Sequence, residues 1–367
     1  TALNAVIKPL ELSDEYEVIP VYIAKDGLWF SDDKLKTVDI FSSGKIEEFC
    51  NDNKPVSITF NKGLIINKPN RLVTKSINID VAFPALHGQY GEDGSLMGLL
   101  RMAGIPYVGC DLQSSVISMD KILSKIVVKS SNILTAPDVV IDYETYKSNP
   151  EPIIDEIESK LGYPVFVKPP HLGSSIGVTK AKNRLELRNA IEVSLHYDNS
   201  VLIEKAINNL REVTLPIMGF GDNIIVATLE EPMYSIANEK FFDFSTKYIN
   251  QGGKKGTGKK GSERYSKIPA ELPENIYKKA IDTAILSYKA IGCNGIARVD
   301  LLIDEKTEKV YFMEINPLPG DLYTHNWRAS GISSIELINK LIEFAEKRFE
   351  EDQKINITFK SNFLKQF

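Results

Sequence analysis

The sequence predicts a mixed α/β and α+β fold built as three compact units in a row, and three observations predict it. Up to about residue 115, apolar β-branched runs alternate with segments of helical spacing, as in a doubly wound α/β unit. Residues 116–206 then read helix, helix, strand, glycine-containing turn, strand, helix, strand, which is an α+β pattern. Residues 207–348 hold two strands, a polar excursion, a long helix, a hairpin and a closing helix, a second α+β unit. The remainder, 349–367, is charged at first and then alternates apolar residues, and it has no assigned place.

The elements follow in order. Residues 16–24 (YEVIPVYIA) are rich in β-branched and aromatic residues and predict a buried strand. Residues 56–60 and 77–84 predict two more, the last running into His87-Gly88, and the alternation predicts a mostly parallel sheet. Apolar spacing over 96–103 with Gly104 behind it marks a helix and its C-terminal stop. Residues 119–129 predict an amphipathic helix, and 151–161 another ended by Gly162. Strands follow at 165–168 and 176–180, a helix at 184–196 and a strand at 200–205. The third unit has strands near 211–218 and 224–229, a polar stretch 252–262 and a helix 273–290. It ends with a hairpin, 296–303 and 310–315 about the turn 304–309, and a helix 332–349.

Composition narrows the function. The chain has 367 residues and a net charge of −5, which argues against nucleic acid as a main partner. No apolar stretch approaches the roughly 18–20 residues of a membrane span. Cys50, Cys110 and Cys293 lie far apart and form no CxxC pair, as expected of reduced thiols in a cytoplasmic protein.

The hairpin is the most informative element. Side chains two apart on a strand share a face, so Arg298 and Asp300 point one way, as do Glu314 and Asn316. Folding about the turn sets the two pairs opposite one another, within one register step. A cation, two carboxylates and a carboxamide then share one sheet face, a hard-oxygen set suited to Mg²⁺. A solvated face with an Arg–carboxylate pair would read the same way. Lys168 ends an apolar strand just before His171–Gly177 (HLGSSIG), a turn whose hydroxyls and N–H groups could close over phosphates. Glu204 and Lys205 close another apolar strand, where a carboxylate and the strand-end backbone could read an adenine edge. His87 and Glu92 follow a strand end, where ligands gather in open α/β sheets. Residues 253–260 (GKKGTGKK) nearly spell a P-loop, but no Ser or Thr follows the lysine and no buried strand leads in. They read instead as a basic loop able to cover an anionic ligand.

The order and spacing of these pieces carry a resemblance. HGQYGEDGSLMGLL, IPYVGC, SSVISMDKILSK, YPVFVKPPHLGSSIGV, VLIEK, FFDFSTKY, GIARVDLLID and MEINPLPG occur in the order in which D-alanine–D-alanine ligases carry them. The chain therefore resembles that family of the ATP-grasp superfamily, from residue 12 to residue 346. The resemblance implies a three-domain ATP-grasp fold, divided at 1–115, 116–206 and 207–348, with nucleotide held between two α+β domains. It implies ATP and two Mg²⁺ ions (or Mn²⁺), small amino-acid substrates, a cytoplasmic location and a homodimer. Lys121, Lys168, Ser174 and Ser175 would hold phosphates, Glu204 the adenine amino group, and Glu212 the ribose. Asp300, Glu314 and Asn316 would ligate the metals, and Arg298 would stabilise the transferring phosphoryl group. Ser174 with Tyr248 would order the first amino acid, Lys247 would close over the ligands, and His87 would lie near the first substrate.

Two departures from the family pattern bear on substrates. The family's opening glycine-rich turn, with a glutamate for the first ammonium group, would precede Thr1. The segment after Pro319-Gly320 is about four residues shorter than usual and lacks an obvious match to the serine that holds the second carboxylate. Asp321, His325 and Asn326 could recognise another acceptor there, or could merely cap and pack the turn. The leading expectation is D-alanine–D-alanine ligation for peptidoglycan precursors. The alternatives are a ligase coupling another amino acid or amine in a specialised natural-product pathway, and a silent nucleotide-binding protein.

Overall fold

The computed structural model describes residues 2–42, 44–60, 63–69, 74–232 and 266–355. Two four-stranded antiparallel sheets dominate it. In the first, strands lie in the order Asp138–Asp142, Ser200–Lys205, Val165–Lys168, Thr179–Ala181. Helices Pro150–Leu161 and Arg184–Tyr197 cover it, and Ile154, Ile157, Leu187 and Ile191 fill the layer between. The second sheet runs Asn223–Val226, Leu210–Phe220, Gly295–Asp304, Lys309–Asn316.

The alternation of side chains explains how the second sheet makes both a core and a site. Ala297, Val299, Leu301 and Ile303 bury against the helix Glu274–Ile291. The opposite face buries Ile296 and Met218 under the closing helix Ser334–Lys354. Farther along that face, Arg298 and Asp300 are only half-buried. Hairpin pairing follows the expected register: Arg298 lies across from Asn316, and Asp300 across from Glu314. A bulge follows Asp300, so Leu301 pairs with Phe312. Ser333 and Glu336 cap the closing helix reciprocally, and it runs to Lys354, beyond the expected 349.

Trp327 anchors the contact between this helix and the sheet. It is 0% exposed among Leu337, Ile338 and Leu341. Trp327→Ala is expected to cost about 3–5 kcal/mol through lost burial and the cavity left behind. Denaturant unfolding of variant and parent measures this; a loss below 1 kcal/mol would contradict the packing described.

The first unit departs from expectation in its strand pairing. Ser57–Phe60, Leu64–Lys68 and Lys75–Ile79 form an antiparallel sheet, and Tyr22–Ile23 pairs antiparallel with Trp29–Phe30. Parallel pairing in this part, among the described residues, is the isolated bridge of Ala82 with Tyr107. Connections 61–63 and 69–74 are too short for the crossover a parallel pair requires, and the strand 64–68 between them was not anticipated. Of the strand expected over 16–24, only Tyr22–Ile23 forms; Pro20 cannot donate to a ladder. The helix expected over 119–129 forms as Lys121–Ser130, and a further helix, Leu112–Met119, that was not anticipated leads into it. Asp120 separates them as an N-cap, accepting from the N–H groups of Ile122 (2.8 Å) and Leu123 (3.0 Å).

Cys50, Cys110 and Cys293 are free thiols. Among the described residues no helix is long and apolar enough to cross a membrane.

Candidate active site

On the hairpin face Arg298 grips Asp300 with two parallel hydrogen bonds, Nε to Oδ1 at 2.8 Å and Nη2 to Oδ2 at 2.5 Å. Its third nitrogen, Nη1, donates to Tyr323 Oη at 3.1 Å. The guanidinium carbon lies 5.0 Å from the centre of the Tyr323 ring, a cation–π contact. Thr214, on the neighbouring strand, donates its hydroxyl to Asp300 Oδ1. Burial works against the Arg298 charge, but Asp300 and Tyr323 outweigh it and hold the guanidinium well above its ordinary value. Burial pushes the Tyr323 phenol up to about 12, so it keeps its proton at neutral pH.

Asp300 and Glu314 face each other across the ladder, and Asn316 Oδ1 accepts from Leu318 N at 3.0 Å. Among the described residues no three carboxylate, imidazole or thiol groups converge on a preformed metal site. Two carboxylates and a carboxamide nevertheless fit Mg²⁺, which takes a few protein oxygens and completes its shell with phosphate and water.

The facing sheet contributes a buried charge cluster. Glu204, 5% exposed, lies between Lys168, whose Nζ is 2.5 Å from Oε2, and Lys125, whose Nζ donates to Oε1. Burial would raise the Glu204 pKa; Lys168 first and Lys125 next outweigh it and hold the carboxyl at about 2. A folded value below the ordinary 4.5 gives stability that is complete above 4.5 and lost as pH falls from there toward 2. Its size is about 3 kcal/mol. Urea unfolding at pH 6 and pH 3 should show less acid loss in Glu204→Gln than in the parent; equal loss would contradict the assignment.

Lys121 connects the two faces. Its Nζ donates to Leu172 O at 2.6 Å and lies 3.6 Å from Glu314 Oε2, and its backbone N–H donates to Pro170 O. The glycine-containing turn is thereby tied to the hairpin. His171, at the head of that turn, bonds Asp198 (Nδ1 to Oδ2, 2.9 Å) and lies 3.4 Å from Asp120. Ser174 and Ser175 have φ of +54° and +59°, a conformation that costs a non-glycine residue about 1–2 kcal/mol. Gly177 must be glycine, because a Cβ there would meet Pro169 at 2.9 Å.

Other sequence-predicted residues fall as follows. Glu212, on the strand beside Gly295–Asp304, is near enough for its charge to support that of Lys168. Lys205 donates its ammonium to Tyr163 O (3.0 Å) and its N–H to Pro137 O (2.8 Å). His87 lies against Gly320, 3.7 Å from Glu92; Glu92 is buried and accepts from Gly88 N–H, bracing the loop. Asp321, Leu322 and Tyr323 are three successive left-handed residues, and burial lifts the Asp321 carboxyl above its ordinary range. Such backbone strain concentrates at functional sites. His325 bonds Glu230 at 3.1 Å, and wholly buried Asn326 donates to Thr228 O at 3.0 Å, so these two side chains pack the turn. Lys247, Tyr248 and the basic stretch 253–260 lie outside the described residues; the chain leaves at Glu231–Pro232 and returns at the paired strand Ser266–Lys267. Sequence reasoning assigned no role to Lys125, Thr214 or Tyr323. Only Lys125 had a signal, its i+4 spacing from Lys121.

Two antiparallel sheets, one bearing the lysine–glutamate cluster and the other the arginine–carboxylate hairpin, define a ligase of the ATP-grasp fold. Family models described as "D-ala D-ala ligase N-terminus" and "D-ala D-ala ligase C-terminus" match residues 2–110 and 127–343. The chain is 38% identical to a D-alanine–D-alanine ligase of Acetivibrio thermocellus over 96% of its own length and 92% of the relative's. Among solved structures it is similar to the VanG D-Ala:D-Ser ligase of Enterococcus faecalis (TM-score 0.75, 30% identity, covering 94% of this chain and 95% of that one). It is also similar to the D-alanine–D-alanine ligase of Coxiella burnetii (TM-score 0.75, 25% identity, covering 96% and 93%). The chain belongs to the D-alanine–D-alanine ligase family, ATP-dependent enzymes that form carbon–nitrogen bonds.

Proposed function

We propose that this enzyme joins D-alanine to D-alanine for peptidoglycan precursors, converting ATP to ADP and phosphate. The observation that carries the reading is the hairpin register, which sets Arg298 and Asp300 against Asn316 and Glu314. In the first step a carboxylate oxygen attacks the γ-phosphorus and ADP leaves. The amine of the second amino acid then attacks the acyl phosphate, loses a proton, and phosphate departs.

Lys168 and Lys121 hold the phosphates beside the Ser174–Ser175 turn. Glu204 and the strand end at Lys205 read the adenine edge, and Glu212 takes the ribose. Arg298 offers its fixed fork where negative charge spreads over the transferring group. Asp300, Glu314 and Asn316 would hold two Mg²⁺ ions, which would neutralise phosphate charge. His87 borders the first substrate. Ser174 and Tyr248 order it, and Lys247 closes over the ligands. A cytoplasmic homodimer completes the assignment.

A second reading, another acceptor, is favoured by the strained turn at 321–323 and its Tyr323–Arg298 contact. The relative from Enterococcus faecalis, a D-Ala:D-Ser ligase, shows that acceptors differ on this fold. Phosphate release from Mg·ATP, measured with D- and L-amino acids singly and in pairs, separates the readings. Release with D-alanine alone, and D-alanyl-D-alanine detected by mass, is expected. Release that requires D-serine or another partner would move the acceptor and keep the ligase chemistry.

A further inference from the structure

Lys125 is buried more deeply than either lysine assigned to phosphate, and the mechanism above leaves it unused. It is 1% exposed on the inner side of the helix Lys121–Ser130. An ammonium carries three protons, and the structure supplies three acceptors. They are Ala136 O at 2.9 Å, Asp138 Oδ1 at 3.3 Å and Glu204 Oε1. Asp138 has a second cation, Lys129, at 2.5 Å. Lys168 is held differently: among the described residues its ammonium is ion-paired at contact distance with Glu204, and Glu314 and Glu212 act on it from farther away.

Lys125 and Lys168 share Glu204, Lys125 and Lys129 share Asp138, and Glu314 and Glu212 lie near enough to act on Lys168 as well. Of the two lysines on Glu204, Lys168 is the one placed to turn to a ligand, because Lys125 is also held by Ala136 O and Asp138. A lysine can leave a buried carboxylate cheaply only when another cation stays behind, since an uncompensated buried charge costs several kcal/mol.

We propose that Lys125 is a positioning residue, the fixed counter-ion of Glu204 that allows Lys168 to pass from Glu204 to the nucleotide phosphates. The inference rests on the nucleotide reading of Lys168 and adds the element that makes its exchange affordable. In the fold described both lysines share the carboxylate. When phosphate arrives, Lys168 exchanges one anion for another and Glu204 remains ionised beside Lys125. Without Lys125, Lys168 is the only cation left on Glu204 and stays there.

Binding of ATP and of adenosine tests this, because adenosine has no phosphate to draw Lys168 away. In Lys125→Met, ATP affinity should fall at least about tenfold, while adenosine affinity stays within about twofold. Lys125→Arg, which restores a cation, should recover most of the ATP affinity. Equal weakening of both ligands would show a merely structural role and overturn the proposal, as would unchanged ATP binding. Lys168→Met is the separate control: unchanged ATP affinity there would sink the nucleotide reading itself. If Lys125→Met does not fold, ¹⁵N-lysine-labelled parent enzyme gives the answer. On adding ATP, the Lys168 ammonium signal should move well beyond any change that adenosine produces at Glu204, and that of Lys125 should respond alike to both ligands and stay in slow exchange. Joint movement of both signals on ATP, beyond the adenosine change, would overturn the proposal.

Discussion

Arg298→Ala is expected to lower kcat by about 10²–10³-fold while ATP affinity stays within about threefold. The guanidinium is positioned by the protein's own side chains. Asp300 holds it in a two-point grip, and Tyr323 both accepts from its third nitrogen and sets its ring 5.0 Å from the guanidinium carbon. A group fixed in this way loses little on reorganisation when charge develops on the transferring phosphoryl group. In the proposed assignment nucleotide affinity rests on the other sheet, through Lys168 and Glu204, and so should survive the substitution. Arg298→Lys should recover little, because one ammonium cannot reproduce the planar fork. Steady-state kinetics with calorimetric ATP binding decides the matter. Parental turnover in the alanine variant would remove Arg298 from the reaction.

Glu314→Ala should be nearly as damaging, by a different route. Glu314 faces Asp300 across the ladder and stands 3.6 Å from the Lys121 ammonium. Its removal takes one of two carboxylates from the proposed metal face and frees Lys121 from its anionic neighbour. Turnover should fall by about 10²-fold or more, and the Mg²⁺ concentration needed for half-maximal ATP binding should rise. Stability should change by less than about 1 kcal/mol, because the side chain is partly exposed and leaves no core cavity. The same variant separates an enzyme from a silent nucleotide-binding protein. If a strain carrying Glu314→Ala grows as well as the parent and makes normal precursors, a binding role alone would account for the protein.

These two residues are legible in the sequence because they lie on one hairpin. Period-2 alternation and a short turn relate Arg298, Asp300, Glu314 and Asn316 almost without tertiary information. The register came out as expected, and the bulge after Asp300 changed only what lies beyond it. The helix Glu274–Ile291, begun by Pro273 and stopped by Gly292, was equally local. The N-terminal unit was less legible. Alternating strands and helices implied parallel pairing, but connections too short for a crossover imposed antiparallel hairpins there.

The sequence by itself determined the family, through the order of its motifs, and the chemistry of the hairpin, through strand periodicity. Tertiary structure alone decided which charges meet in the interior. Lys125, Lys168 and Glu204 come from three elements separated by up to 79 positions, and no local pattern relates them. Likewise Tyr323 reaches Arg298 only because three successive residues take left-handed backbone conformations, which side-chain type does not announce. Such contacts depend on how separate elements pack, and burial then sets their energies: removing one partner of an ion pair costs little at the surface and several kcal/mol where solvent is excluded.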